Sequence, residues 1–163
     1  MYTLVLSTGS NLGNRQENLE NASELIRGIL GHIRQYSAIY ESSAWGYFSE
    51  NIFYNQCLEV QTELSPEECL QQILAIEMRM GRKRRGKAYN DRIIDIDILF
   101  YDDLVMDQDQ LKIPHGRLQE RKFVLLPLAE ILPEFQHPVY HKSIRELLEL
   151  CSDTLDVHLI VQD

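Results

Sequence analysis

Apolar and polar positions along the chain alternate between two periods. Tyr2 to Gly9, YTLVLSTG, reads as a first strand rich in β-formers that stops at the turn GSNLGNR. From about Gln16, Leu19, Ala22, Ile26, Ile29 and Leu30 recur at helical spacing, which predicts a helix closed by Gly31. His32 to Ser42 places Ile33, Tyr36, Ala38 and Tyr40 near period two, and Asn51 to Leu64 alternates again. These predict two strands joined by SAWGYFSE, a loop longer than a tight hairpin needs.

Ser65 then predicts a helix N-cap, with Pro66 at the first helical position and Glu68 completing a capping box. The inner stripe of this helix reads Cys69, Leu70, Ile73 and Leu74, and Glu77 continues it, either snorkelling at the helix end or facing a site. After Gly81 comes a basic loop to about Asp91, followed by the strand RIIDIDILFYDD, Arg92 to Asp103. The order β-α-β-β-α-β is that of the ferredoxin-like motif, so the expected class is α+β, an antiparallel sheet with helices packed on one face. C-terminal additions follow: a hairpin arm in LVMDQDQLKIP, a short helix near Phe123 to Ile131, and an amphipathic helix from Ser143 to Cys151. With no repeat and no low-complexity linker, residues 1–163 are expected to form a single domain.

Charge sharpens this picture. The chain carries −9 with 44% hydrophobic and 25% charged residues, which argues against disorder and against a general nucleic-acid surface. Yet Arg82, Lys83, Arg84, Arg85, Lys87 and Arg92 face only one acid, Asp91, in that stretch, a concentration suited to a small anionic ligand. Three cysteines without CxxC spacing predict reduced, buried thiols rather than a disulfide framework or a zinc site. No basic leader followed by an apolar run and no bilayer-length apolar segment is present, so a cytoplasmic protein away from membranes is expected.

The chemistry concentrates in the Asp95–Asp97 strand. Successive strand side chains point to opposite faces, so Ile94, Ile96 and Ile98 can pack under the helices while Asp95 and Asp97 share the other face. Their Cα atoms would lie about 6.6 Å apart, and two such carboxylates raise each other's pKa unless something cationic joins them. Alone, such a pair reads as a solvated sheet face paired to Lys or Arg. Beside the basic loop it suits Mg²⁺, which takes one or two carboxylates and fills its remaining positions with water and phosphate oxygens. Two bridged ions are a known arrangement for displacement at phosphorus, with Arg and Lys reaching the oxygens the metals do not. No GxxxxGK[ST] loop is present, and DQDQ, Asp107 to Gln110, reads as an exposed turn.

In their order and spacing, GSNLGNR, FYNQCLEV, IEMRMGRKR, RIIDIDILFYDD and IPHGRLQERKFVLLPLAEILP resemble the 6-hydroxymethyl-7,8-dihydropterin pyrophosphokinases of folate biosynthesis. That resemblance implies the ferredoxin-like core and transfer of the β,γ-pyrophosphoryl group of ATP to the hydroxymethyl oxygen of the dihydropterin, releasing AMP. It implies two Mg²⁺ ions on Asp95 and Asp97, with Arg82, Arg92, Asp95 and Asp97 as the catalytic set. It further implies phosphate contacts from Arg82, Arg84, Arg92, His115 and Arg121. Phe123 matches the aromatic on one face of the pterin, Phe53 resembles the ring opposite, and Asn55 the amide at the pterin edge. The chain departs from the family pattern at Tyr89–Asn90–Asp91, where Trp-Gly-Pro is usual, at FSENI before Phe53, where Asp-Gln-Pro is usual, and at Gly116. ATP and the dihydropterin are the expected partners of a monomer. The competing readings are a ferredoxin-like module for single-stranded RNA, which needs aromatics exposed on its central strands, and a regulatory domain that binds a small ligand without catalysis.

Overall fold

A computed structural model describes residues 1–83 and 89–160. A long central strand, β4 (Phe53–Thr62), pairs antiparallel along its whole length with β1 (Tyr2–Ser10), from Tyr2 opposite Thr62 to Ser10 opposite Tyr54. On the far side of β1 lies β5 (Asp95–Tyr101), also antiparallel. On the far side of β4 lie β2 (Gly31–Tyr36) and then β3 (Tyr40–Ser42), with β8 (Val157–Leu159) added outside β3. The strand expected from His32 to Ser42 is therefore interrupted. At Ser37 the hydroxyl accepts from the Cys57 N–H at 2.9 Å and the carbonyl accepts from Gln56 Nε2 at 2.8 Å, so the regular ladder breaks before pairing resumes further along the same edge of β4.

The two core helices lie on one face, as the β-α-β-β-α-β order requires. In α1 (Arg15–Ile29) the Asn14 side chain caps the Glu17 N–H, and Leu19, Ala22 and Ile26 are buried. Gly31 does not cap this helix but opens β2: a Cβ there would come within 1.9 Å of the Gln61 carbonyl oxygen, a backbone approach that only glycine permits. In α2 (Pro66–Arg79) the Ser65–Glu68 capping box forms. The buried stripe is Cys69, Ile73, Ile76 and Glu77, whereas Leu74 turns outward and Leu70 is half-buried. These helices cover Leu4, Leu6, Leu58, Val60, Ile94, Ile96 and Ile98.

The C-terminal additions build a second core on the opposite face. Here α3 (Lys122–Ile131) and α4 (Ile144–Leu150) pack Val124, Leu125, Leu128, Ile144 and Leu147 against Val5, Cys57, Leu99 and Phe100. Register makes this possible. Between Val5 and Leu6 the pairing with β5 slips by one residue, so Leu99 and Phe100 both join this core while Ile98 and Tyr101 stay on the first. The face carrying Asp95 and Asp97 is thus covered by α3 only beyond Asp97. A two-stranded arm, β6 (Met106–Asp107) and β7 (Lys112–Ile113), follows β5, with Gln108, Asp109 and Gln110 exposed at its tip. Cys57, Cys69 and Cys151 are free thiols, and among the described residues no helix is long and apolar enough to cross a membrane.

Candidate active site

The site grows from the first half of β5. Ile94, Ile96 and Ile98 are at most 6% exposed, and Asp95 and Asp97 project to the other face, opposite Gly9 and Ser7 of β1. Gly9 also lies opposite Asn55 of β4, where an added Cβ would stand 3.4 Å from Asn55 Oδ1. A residue with no side chain therefore leaves a floor between a carboxylate and an amide. Asn55 Nδ2 donates to Ser42 Oγ at 2.9 Å and to the Tyr40 carbonyl at 3.2 Å, which leaves Oδ1 to accept from something else.

The two aspartates have different neighbours. Asp95 accepts from Arg82 at 2.8 Å and from Arg92 at 3.0 Å. Burial alone would push its pKa up, but the two guanidinium groups hold it below the ordinary carboxylate value. Asp97 has no ion pair among the described residues. Burial and the Asp95 charge push its pKa up, opposed by Arg121. Glu77, buried at the end of α2, takes the second reading of its stripe position and faces the site. It accepts from Arg82 at 2.6 Å and from the Ile96 backbone N–H at 2.8 Å, tying the helix to β5.

Three arginines converge here with donors to spare. Arg82, Arg92 and Arg121 line the cleft, and each has a buried Nε that meets no acceptor, an unspent donor at the cleft wall. His115 follows the cis Ile113–Pro114 bond, its N–H bonded to the Leu99 carbonyl. Burial and the charge of Arg121 lower its pKa to about 4, so at neutral pH it is an uncharged ring, with Nδ1 accepting from the Arg117 N–H. These groups line a cleft of about 950 Å³ that also takes in Leu70, Leu74 and the Asp107–Lys112 turn. Arg84 lies outside the described residues.

Beside the cleft, and sharing Tyr89, Arg92, Asp95, Asp97 and Arg121 with it, is an aromatic pocket between Phe53 and Phe123. Trp45, Tyr47 and Tyr89 close it to about 30 Å³, room for a water or two. Arg121 is the hinge between the two spaces: its guanidinium lies 4.6 Å from the Trp45 ring centre and donates to the Tyr89 hydroxyl at 3.0 Å.

The profile of the family described as 7,8-dihydro-6-hydroxymethylpterin-pyrophosphokinase (HPPK) matches residues 5–133, which span the whole site. The chain belongs to this family. It is 42% identical over 146 residues to the 2-amino-4-hydroxy-6-hydroxymethyldihydropteridine pyrophosphokinase of Aquifex aeolicus, covering 90% of each chain. It is 38% identical to the Synechocystis protein of that name, covering 89% of this chain and 74% of the other. Among solved structures, the wild-type HPPK-DHPS of Plasmodium falciparum superposes with a TM-score of 0.76 at 21% identity, over 91% of this chain and 44% of that one. That likeness concerns the fold, and this chain spans less than half of those longer solved chains.

In this chain the structure gathers Arg82, Arg92, Asp95, Asp97, His115 and Arg121 on the cleft and Phe53, Asn55 and Phe123 on the aromatic pocket. Asn11, Trp45, Tyr47 and Asp91 also gather here without having been anticipated. Trp45 had one available signal, as the single tryptophan of the chain placed in a loop too long for its turn.

Proposed function

We infer that this chain transfers the pyrophosphoryl group of ATP to the hydroxymethyl oxygen of 6-hydroxymethyl-7,8-dihydropterin and releases AMP. The observation that carries the reading is the pairing of two spaces across Asp95 and Asp97: an arginine-ringed cleft of nucleotide size and an aromatic slot beside it. The carboxylates fit Mg²⁺. They are two rather than three or more, since among the described residues no larger His/Cys/Asp/Glu group occurs and Asp97 forms no ion pair. Such a donor set suits an ion that keeps positions for phosphate oxygens. Two Mg²⁺ ions held by Asp95 and Asp97 would neutralise the polyphosphate and align it for in-line displacement.

The remaining work falls to side chains. Arg82, Arg92 and Arg121 supply unspent N–H donors to phosphate oxygens, and Arg84 is expected to join them from the basic loop. Neutral His115 offers a donor without adding charge. Phe53 and Phe123 bracket a flat heterocycle, an arrangement aromatic rings favour, and Asn55 Oδ1 accepts from its amino edge. Held this way, the hydroxymethyl oxygen gives up its proton to water and forms a bond to the β-phosphorus while the bond from that phosphorus to the α,β-bridging oxygen breaks and AMP leaves. We read residues 1–163 as one pyrophosphokinase unit, working as a cytoplasmic monomer. The test is AMP release from ATP with Mg²⁺ and hydroxymethyl-dihydropterin. Release that needs both is expected; AMP formed without pterin, or none from well-folded protein, would overturn the reading.

A further inference from the structure

Asp91 stands where the chain leaves its family pattern, and its carboxylate joins three separate segments. Its Oδ1 accepts from the Tyr47 hydroxyl and from Asn11 Nδ2, each at 2.9 Å, and its Oδ2 accepts from Asn51 Nδ2 at 2.8 Å. Asn11 completes the cluster by clamping the next residue. Its Oδ1 accepts from the Arg92 N–H at 2.8 Å, and its own N–H donates to the Arg92 carbonyl at 3.1 Å. Donor and acceptor roles are fixed at neutral pH. Burial would raise the Asp91 pKa, but bonds from Ser49, Asn51, Asn11 and Tyr47 bring it down to about 2, while burial and Asp91 push the Tyr47 phenol up to about 12.

The same loop forms the roof of the aromatic pocket. Gly46 adopts φ +82°, and a Cβ there would press to 3.3 Å against the Tyr89 ring, so glycine lets that ring lie flat on the loop. Tyr89 meets Trp45 edge-on at 6.2 Å and lies nearly parallel to Tyr47 at 6.5 Å. Trp45, Tyr47 and Tyr89 thus line the slot together with Phe53 and Phe123 and roof it.

We propose that Asp91 is a positioning residue that fastens the 43–52 loop over the aromatic pocket and holds the Arg92 backbone beside Asp95, so that its bonds must break each time a pterin enters or leaves. The role of the pocket rests on the pterin reading; the clasp itself does not. Because opening limits both directions, weakening the clasp speeds entry and exit together, which loss of a pterin contact would not do.

The experiment compares wild type with Asp91→Ala, Asp91→Asn and Tyr47→Phe. Trp45, the sole tryptophan, reports the loop directly through acrylamide quenching in the ligand-free protein. Stopped-flow fluorescence gives pterin association and dissociation rates with Mg²⁺ and a non-hydrolysable ATP analogue present. Asp91→Ala should raise both rates at least about tenfold, since charge-assisted hydrogen bonds are lost, and should raise Trp45 quenching about twofold. Asp91→Asn should recover most of this, because an amide can still accept from Tyr47 and Asn11 and pair with a turned Asn51 amide. Tyr47→Phe, which leaves position 91 untouched, should fall between. Unchanged quenching in Asp91→Ala, or faster dissociation with unchanged association, would overturn the proposal. If wild type binds no pterin, the functional reading fails, while the quenching series still decides the clasp.

Discussion

Asp95 and Asp97 sit two residues apart on one strand face, yet both neighbouring arginines that form ion pairs there bond to Asp95. Asp97 forms no ion pair among the described residues, and burial and the repulsion of Asp95 outweigh the pull of Arg121. In the metal-free protein its charge therefore costs stability, and the sign follows from the raised pKa: the cost is absent below the usual carboxylate range and grows as pH rises through and above it. Asp97→Asn should raise the melting temperature without Mg²⁺ at pH 8, by the equivalent of about 1 kcal/mol or more, with a smaller gain near pH 4. Turnover should fall at least about a hundredfold. A variant that melts like wild type at both pH values, or turns over normally, would contradict the assigned role. Phe123→Ala tests the other space. Calorimetry should show pterin binding weakened by about 1 kcal/mol or more with ATP-analogue binding nearly unchanged, and equal losses would count against stacking. The Ile/Asp alternation was legible because period two is local. Which arginine meets which aspartate was not, because Arg82, Arg92 and Arg121 arrive from three different segments.

At the scale of elements, signals contained within a few residues were readable. The Ser65–Pro66–Glu68 start of α2 forms as its capping box predicts, and the helix expected from Ser143 starts there, with an unanticipated Ser143–Glu146 capping box. What escaped the pattern was set by pairing across the sheet. The break at Ser37 answers Gln56 and Cys57, the slip at Leu99 answers Val5, and β8 is three residues whose only strand signal is the β3 edge they cover. The end of α2 shows how an element serves the site. Glu77 sits 2% exposed on the helix's apolar stripe and holds both Arg82 and the Ile96 N–H. Glu77→Ala should cost about 2 kcal/mol in denaturant unfolding, since it strands a buried backbone donor and leaves Arg82 with one of its two carboxylates. Glu77→Gln should recover part of that stability while still weakening nucleotide binding, because the amide can accept from Ile96 but no longer fixes Arg82 by charge. Equal nucleotide affinity in Glu77→Gln and wild type would show that Arg82 needs no such anchor.

For the molecule as a whole, the decisive geometry is that one of the two arginines lining both ligand spaces also bonds to a ring of the slot. Arg121 lies on the wall of the nucleotide cleft, and it also donates to the hydroxyl of Tyr89, whose ring helps close the pterin slot. A phosphate that recruits Arg121 competes for that donor and frees Tyr89 to move. Nucleotide should therefore raise the population able to admit a pterin, and the apparent pterin affinity should rise by the same factor. Free-energy linkage demands the reverse as well: pterin must tighten nucleotide binding equally. Titration calorimetry with Mg²⁺ and a non-hydrolysable ATP analogue should show each ligand binding at least about fivefold tighter in the presence of the other. Tyr89→Phe removes the shared bond while keeping the ring, and should reduce that coupling while raising pterin affinity for the nucleotide-free protein. Equal pterin affinity with and without nucleotide in the wild type would mean that the slot opens independently of Arg121, and the shared arginine would then be a neighbour of both sites without linking them.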